Sequence, residues 1–446
     1  MRAGWVTAFC AATFLGQAAF AWSNHALGTW QALSVMPELT GLAPVPAEPL
    51  ESFLSSEAVG IANLLQAEER WAARMRGYPP VPRALLFRAG ATDPAELHRR
   101  FAMALRINPN APLSLFLQLR PGANLEGRPR LNEFQVTLAK HSEVVHSLVF
   151  VALRAGEAVA VADVLATASD EPDYGLDFGL WSDNGTAFGD VYELGKQPFG
   201  NPALEYSSQA PLHMGFYHES PILYMAAPFL RRTFPEYRIH LYASLASFAL
   251  RTGHPYWGWR FAGWAAHYVQ DLTQPYHVRV FPGVGVSRLL WINTLDVVGI
   301  HQPKIDAITL ISNRHAALEN YLWYRMRGDY LHGTFDDPVL QALREHSPDD
   351  GEVFADFTAR SVISRQAYDE ADALDRALLE ATPARYVNDP SYTLGATESG
   401  VNLYAVISES PAARQEALTA AIVPLLAHFG GHTRAFLRAV IKAAST

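Results

Sequence analysis

The sequence predicts an all-α fold. Apolar residues recur at three- and four-residue spacing along most of the chain, strand-like alternation is scarce, and the stretches that break the helical pattern are rich in proline. The 446 residues are 49% hydrophobic and 18% charged, a globular composition far from disorder.

In chain order, helical periodicity runs through residues 51–75, 94–106, 156–169, 237–253, 256–272, 305–326, 357–380 and 412–429. LLFRAG at 85–90 and SLVFVALRAG at 147–156 are the candidates for short strands. GLAPVPAEPL (41–50) and GYPPVPR (77–83) read as loops. LSLFLQL (113–119) is apolar enough to be core or to line a lipid-facing rim. No internal repeat, charge block or low-complexity tail interrupts the chain. These features predict one helical domain over 22–446, with inserted segments near 76–130 and 178–212.

The first 21 residues read as a signal peptide, with one basic residue, an apolar run and Ala19-Phe20-Ala21 before the expected cut. That assignment predicts export, to a periplasm or outside the cell. It also removes Cys10, the sole cysteine, so the mature chain would have neither disulfide nor thiol ligand. Loss of Arg2 leaves 34 basic against 44 acidic residues, a formal charge of −10. Such a surface offers no general attraction to nucleic acid or anionic lipid. No later segment is apolar enough over sufficient length to span a bilayer.

Five stretches gather metal-type ligands. In HYVQDLTQPYH, His267 and Asp271 lie four apart and share a helix face. Pro275 cannot continue that helix, so His277 leaves in a new direction and one segment can serve two neighbouring metals. In RHAALENYL, His315 and Glu319 again lie four apart, a spacing that can chelate one ion or merely form a solvated pair. In WSNHALGTW, cleavage would give Trp22 a free amine, which with its carbonyl could chelate a cation beside His25. SDEPDYGLDFG holds Asp173 in a turn, where it could bind metal or take a proton; Asp170 and Asp177 compete for that role. APLHMGFYHESP offers His213 or His218. No GxSxG elbow, phosphate-binding glycine loop or other cofactor-binding motif is present.

Taken together, WSNH, EPDYGLD, HMGFYHE, HYVQDLTQPYH and RHAALENYL, in that order from residue 22 to 319, resemble the zinc-dependent phospholipase C and single-strand nuclease superfamily. The HxxxDxxQPxH segment is the most specific, and residues 411–428 resemble the closing helix. The resemblance implies an all-helical phospholipase C-like domain holding up to three zinc ions. It assigns Asp173, His213, His267 and Asp271 to one ion. His277, His315 and Glu319 would hold a second, and Trp22, His25 and a bridging Asp271 a third. The intervals Asp173–His213 and His277–His315 are longer than is usual in the superfamily, and Trp22–His25 is shorter.

The resemblance further implies phosphoester hydrolysis by metal-activated water, with Asp173 orienting or deprotonating that water. The PDY turn and Glu319, where the nuclease branch has aspartate, lean towards a phospholipid substrate and transient contact with a membrane surface. A nuclease, nucleotidase or other phosphoesterase on the same site is the alternative, with nucleic acid as substrate. A non-catalytic, zinc-stabilised binding protein is a second one.

Overall fold

A computed structural model describes residues 25–75, 77–90, 93–139, 145, 147–202, 204–346, 348–394 and 400–446. It is mostly helical, with 61% helix and 3% strand. The helices that matter here are α1 (His25–Ser34), α2 (Leu50–Ala72), α3 (Pro94–Leu105), α4 (Val161–Asp170) and α5 (Ala210–His213). They continue with α6 (Pro221–Ala226), α7 (Pro235–Arg251), α8 (Pro255–Asp271), α9 (Pro275–Val278) and α10 (Val286–Val297). The last are α11 (Gln302–His332), α12 (Pro338–Arg344), α13 (Ser364–Ala381) and α14 (Ala412–Ala444).

Helix α8 is the axis of the first half. Pro255 starts it, where a missing backbone N–H costs nothing, and every residue from Tyr256 to Asp271 is buried. The largely apolar surface of α8 suits a helix enclosed on every side. Here α7, α4 and α14 pack against it. Trp257, Phe261 and Trp264 form an edge-to-face and tilted aromatic spine along it. This core also takes in α2 and α3. A second core gathers α11, α12, the inward face of α13 and the first part of α14. Helix α14 joins the two, with Leu418 to Phe429 in the second core and Phe436 to Val440 in the first.

The strands are few and short. Phe116–Leu119 and Arg130–Leu131 flank Val149–Ala152 in an antiparallel sheet, with Phe116 opposite Ala152 and Arg130 opposite Val151. Val45–Pro46 pairs with Ala158–Val159. SLVFVALRAG thus contains the expected strand. LLFRAG does not: Arg83–Leu85 is a 3₁₀ turn, and Phe87 is buried edge-on against Phe101 of α3 rather than presented to a sheet. In LSLFLQL, Phe116 and Leu117 are buried, which makes this stretch core. Part of the proline-rich 41–50 stretch pairs as a strand, and Ala158–Val159 is a strand where helical spacing begins at 156. Periodicity did not reveal α10, which has no buried residue and so no apolar stripe to be read. Among the described residues, no helix is long and apolar enough to cross a membrane.

The approach of α4 to α8 positions the site. It depends on Gly263, where a Cβ would lie 2.5 Å from Ala168 Cβ and 2.7 Å from the Leu165 carbonyl oxygen. Gly263→Ala should therefore destabilise the protein by about 1–3 kcal/mol through overpacking. Helix propensity alone predicts a gain of about 1 kcal/mol. Urea unfolding decides between them, and a raised midpoint would show that the two helices are not in close contact.

A candidate metal centre

The chain turns abruptly at the end of α8. Pro275 opens α9, and the Gln274 side chain accepts a hydrogen bond from the Tyr276 backbone N–H at 2.6 Å to cap it. His267 and Asp271 consequently face one spot from the last turn of α8, and His277 returns to it from α9. His213 arrives from the end of α5, which is tied to this segment by the Gly215 N–H donating to the His277 carbonyl at 2.7 Å. Asp173 stands in a 3₁₀ turn, Glu171–Tyr174, closed by Gly175 at φ +113°, a conformation that favours glycine. The Arg260 guanidinium grips Glu171 through two hydrogen bonds of 2.8 Å and pins that turn to α8. His25 comes from the first residue of α1, and His315 and Glu319 from one face of α11.

These eight side chains converge in three overlapping groups: His25–Asp173–His267, His213–His267–Asp271 and His277–His315–Glu319. His267 is shared by the first two, and the Asp271 carboxylate reaches rings of all three. Its Oδ2 lies 3.0 Å from His213 Nδ1 and 3.3 Å from His267 Nε2. Its Oδ1 lies 3.4 Å from His25 Nε2 and 3.6 Å from His277 Nδ1, and makes no hydrogen bond. Asp173 is more distant, with oxygens 3.8 Å from His267, 3.9 Å from His213 and 4.0 Å from His25. His277 Nε2 and His315 Nε2 face each other at 3.0 Å, and Glu319 Oε1 is 2.6 Å from His315 Nε2.

Outer partners fix which ring nitrogens face inward. His267 donates Nδ1–H to the Ser169 carbonyl at 2.7 Å, and His25 donates Nδ1–H to Gln270 Oε1 at 2.8 Å. Each therefore aims Nε2 at the carboxylates. His213 sets its Nε2 3.3 Å from Asp177 Oδ2. Asp177 is itself held by Arg238 at 2.5 Å and the Tyr268 hydroxyl at 2.7 Å. Gln209 donates to Asp173 Oδ1 at 2.9 Å. Oriented imidazoles backed by carboxylate, carbonyl or amide oxygen are the supporting layer that metal-ligating histidines require.

Converging lone pairs in a dry interior repel one another unless protons or cations lie between them. In the metal-free protein, protons take that place. Burial opposes the charge on His25, but Asp271 and its neighbours raise the ring to about 9. His213 is likewise raised to about 10 by Asp177 and Asp271 against burial. Burial dominates elsewhere, pulling His267 and His277 down to about 3 and His315 to about 4. Burial also pushes Asp173 well above the usual carboxylate range. It acts on Asp271 in the same direction, but the surrounding imidazoles hold that carboxyl well below the usual range.

The imidazole and carboxylate donor set, and the unbonded Asp271 Oδ1, fit divalent cations such as zinc. The residues singled out from sequence are thereby placed. Eight of them meet here, while Trp22 and the expected cleavage site lie outside the described residues. His218 is elsewhere, with Nε2 2.9 Å from Ser364 Oγ. Asp170 receives the Ala26 N–H and the Gln118 amide, and Asp177 supports His213 from behind. The sequence carried no sign of Gln209, Gln270 or Arg260, because amide and guanidinium partners have no fixed spacing from what they support. The chain matches no family model, no curated protein and no solved structure.

The two classes of histidine give opposite pH limits. The protonated forms of His25 and His213 stabilise the metal-free fold below 6.5, and that contribution is lost as pH rises through about 9 and about 10. His267, His277 and His315 titrate below 6.5, so the unfolded chain binds more protons and stability falls as pH drops from 6.5 towards about 4. Chelated protein should melt highest near 6.5 and lose stability as pH moves away from it in either direction. Zinc should remove the alkaline loss, because it replaces the two protons. Thermal melts across pH with and without zinc check this; an alkaline loss unchanged by zinc would separate these histidines from metal binding.

Proposed function

We propose that the chain is an exported zinc-dependent phosphoric ester hydrolase, a phosphodiesterase of the phospholipase C type. One observation carries the reading: seven carboxylate and imidazole side chains, drawn from segments spread over residues 25 to 319, gather around Asp271, four of them within 3.6 Å of its carboxylate. The order, spacing and face of those ligands support membership of the zinc-dependent phospholipase C and nuclease superfamily. His213, His267, Asp271 and Asp173 would hold one cation, His277, His315 and Glu319 a second, and His25 with Asp271 and the mature amino terminus at Trp22 a third. Bound there, the cations would lower the pKa of water and neutralise phosphoryl oxygens during in-line displacement.

The chain's own residues supply the remainder. Burial raises the proton affinity of Asp173, which suits a group that takes a proton from attacking water. Gln209 holds one oxygen of that carboxylate, leaving the other directed at His25. The turn gripped by Arg260 keeps it there.

Lipid is favoured as the substrate by a surface beside the ligand segments. Met214 and Val280, each one to three residues past a ligand, pack on a small apolar cluster with Phe216, Leu223 and Leu289. Beside it α10 packs against α6 and α11, and Ile222, Met225, Trp291, Val297, Val298, Ile300 and Ile305 are all more than half exposed. A cluster of large apolar side chains in water marks an interaction surface, and a lipid surface is one partner that fits it. A second reading has an observation of its own. His25, His267, Asp271 and His277 are buried almost completely, and a metal-held scaffold without catalysis needs no more access than that.

Phosphatidylcholine vesicles and single-stranded DNA, offered side by side to zinc-loaded protein beginning at Trp22, test the proposal. Release of phosphorylated headgroup, abolished by chelation, is expected. Nucleotide release would move the chain to the nuclease branch, and bound zinc with neither product would favour the scaffold. Asp271→Asn should lose metal and hydrolysis together, because it weakens both groups that share the carboxylate. Normal zinc content and turnover in that variant would falsify the site. An extra methionine ahead of Trp22 should lower zinc content by one equivalent; an unchanged count would remove the amine from the centre.

A further inference from the structure

A second group of metal-type ligands lies apart from this centre: Asp349, His428 and His432. His428 and His432 are four apart on α14, with rings stacked at 23° and centroids 6.0 Å apart. Asp349 stands on a 3₁₀ turn, Pro348–Gly351, that Arg434 locks to α14 through Asp350 at 2.5 and 3.0 Å. Gln366 comes from α13. Three separate elements thus present donors to one point. His428 Nδ1 is 2.6 Å from Asp349 Oδ2, and His432 Nε2 is 2.7 Å from Gln366 Oε1 and 3.7 Å from Asp349 Oδ1.

No arrangement of protons satisfies His432. Its side chain is fully buried, and its Nδ1 has no hydrogen-bond partner within reach. If Nε2 carries the hydrogen and donates to Gln366, then Nδ1 is left in the interior without a hydrogen bond. If Nδ1 carries it, Nε2 sets a lone pair against the Gln366 oxygen. Turning the amide over relieves that contact but places its oxygen on Asp349 Oδ1, to which the amide nitrogen now donates at 3.1 Å. A cation resolves the conflict. It accepts His432 Nε2, His428 Nδ1, Asp349 and Gln366 Oε1 as donors, and frees Nδ1–H to turn to Glu352 Oε2, 3.9 Å away. A carboxylate behind a metal-bound imidazole is the usual companion of such a site.

We propose that Asp349, His428, His432 and Gln366 form a separate mononuclear site for a divalent cation, zinc by its two-imidazole and two-oxygen donor set. His428, a quarter exposed, is the point of entry. The site is structural. Phe429 and Thr433, on the adjoining face of the same helical turn, contact His25 and Gln270 of the first centre. A metal clip between α13, α14 and the 348–351 turn fixes the register of that face.

Zinc content by elemental mass spectrometry, compared between the full wild-type chain and its variants, tests this without any hydrolysis assay. His428→Gln and Asp349→Asn should each hold one zinc fewer than wild type, and the double variant also one fewer. Equal zinc content in wild type and His428→Gln would overturn the site. Gln366→Glu supplies a second test that tolerates loss of stability. A carboxylate beside Asp349 should lower the melting temperature in chelator, and added zinc should then raise it by more than it raises the wild type. A zinc-induced rise no larger than the wild type's would show that these residues form only a hydrogen-bonded cluster.

Discussion

The carboxylate of Asp271 is the constraint around which the candidate centre is arranged. It is fully buried, yet four imidazoles lie within 3.6 Å of its two oxygens. An ionised carboxylate in such a place survives only with positive charge nearby. Protons on His25 and His213 supply it in the metal-free protein, and divalent cations would supply more of it without any ligand moving far. Each oxygen faces a different pair of rings, so one residue ties α1, α5, α8 and α9 together. The site is therefore part of what holds the two cores against each other. The flanks of His267 belong to one core, and those of His25, His315 and Glu319 to the other.

That arrangement explains where the fold spends its polar residues. Buried Arg260 and Arg238 do not approach the ligands. Arg260 fixes the turn that bears Asp173, and Arg238 fixes Asp177 behind His213. Tyr268, Gln270 and Gln209 act similarly, each satisfying one atom of a ligand or its support. Such contacts contribute modestly to stability. Their stronger effect is to fix the orientation of His25, His213 and Asp173. Removal of a supporting group would then be felt as rotation of a ring, which matters more to a site than the lost bond energy.

Much of this was legible in the sequence. Helical spacing located α2, α3, α4, α7, α8, α11, α13 and the start of α14, because each buries a stripe. It missed α10, which buries none, and ended α14 too early at Phe429, because Gly430 and Gly431 look like a stop. In the structure they continue the helix. A Cβ at Gly430 would lie 2.1 Å from the Leu343 carbonyl oxygen, so the glycine there serves close packing against α12. The residues of the candidate centre were legible for a different reason: i,i+4 pairs and a proline break have direct geometric meaning. His213 against His218 was not decidable that way, since only the fold brings α5 to α9. Truncating α14 at Phe429 also hid His432, and with it the pairing of His428 and His432 one turn apart.

The two candidate metal sites on either side of α14 would make one helix serve both stability and chemistry. Successive residues on a helix are about 100° apart, so Phe429 and Thr433 turn towards α1 and α8 while His428 and His432 turn towards the 348–351 turn and α13. A small axial shift of α14 would therefore disturb both faces at once. Thr433 would leave Gln270, Gln270 would release the Nδ1–H of His25, and that ring could turn its Nε2 away from Asp271. The outer cluster resists that shift most directly, because its donors come from two elements that contact α14 alongside the core. The register of the closing helix and the orientation of the first ligand of the chain, four hundred residues earlier, are in this way one structural problem.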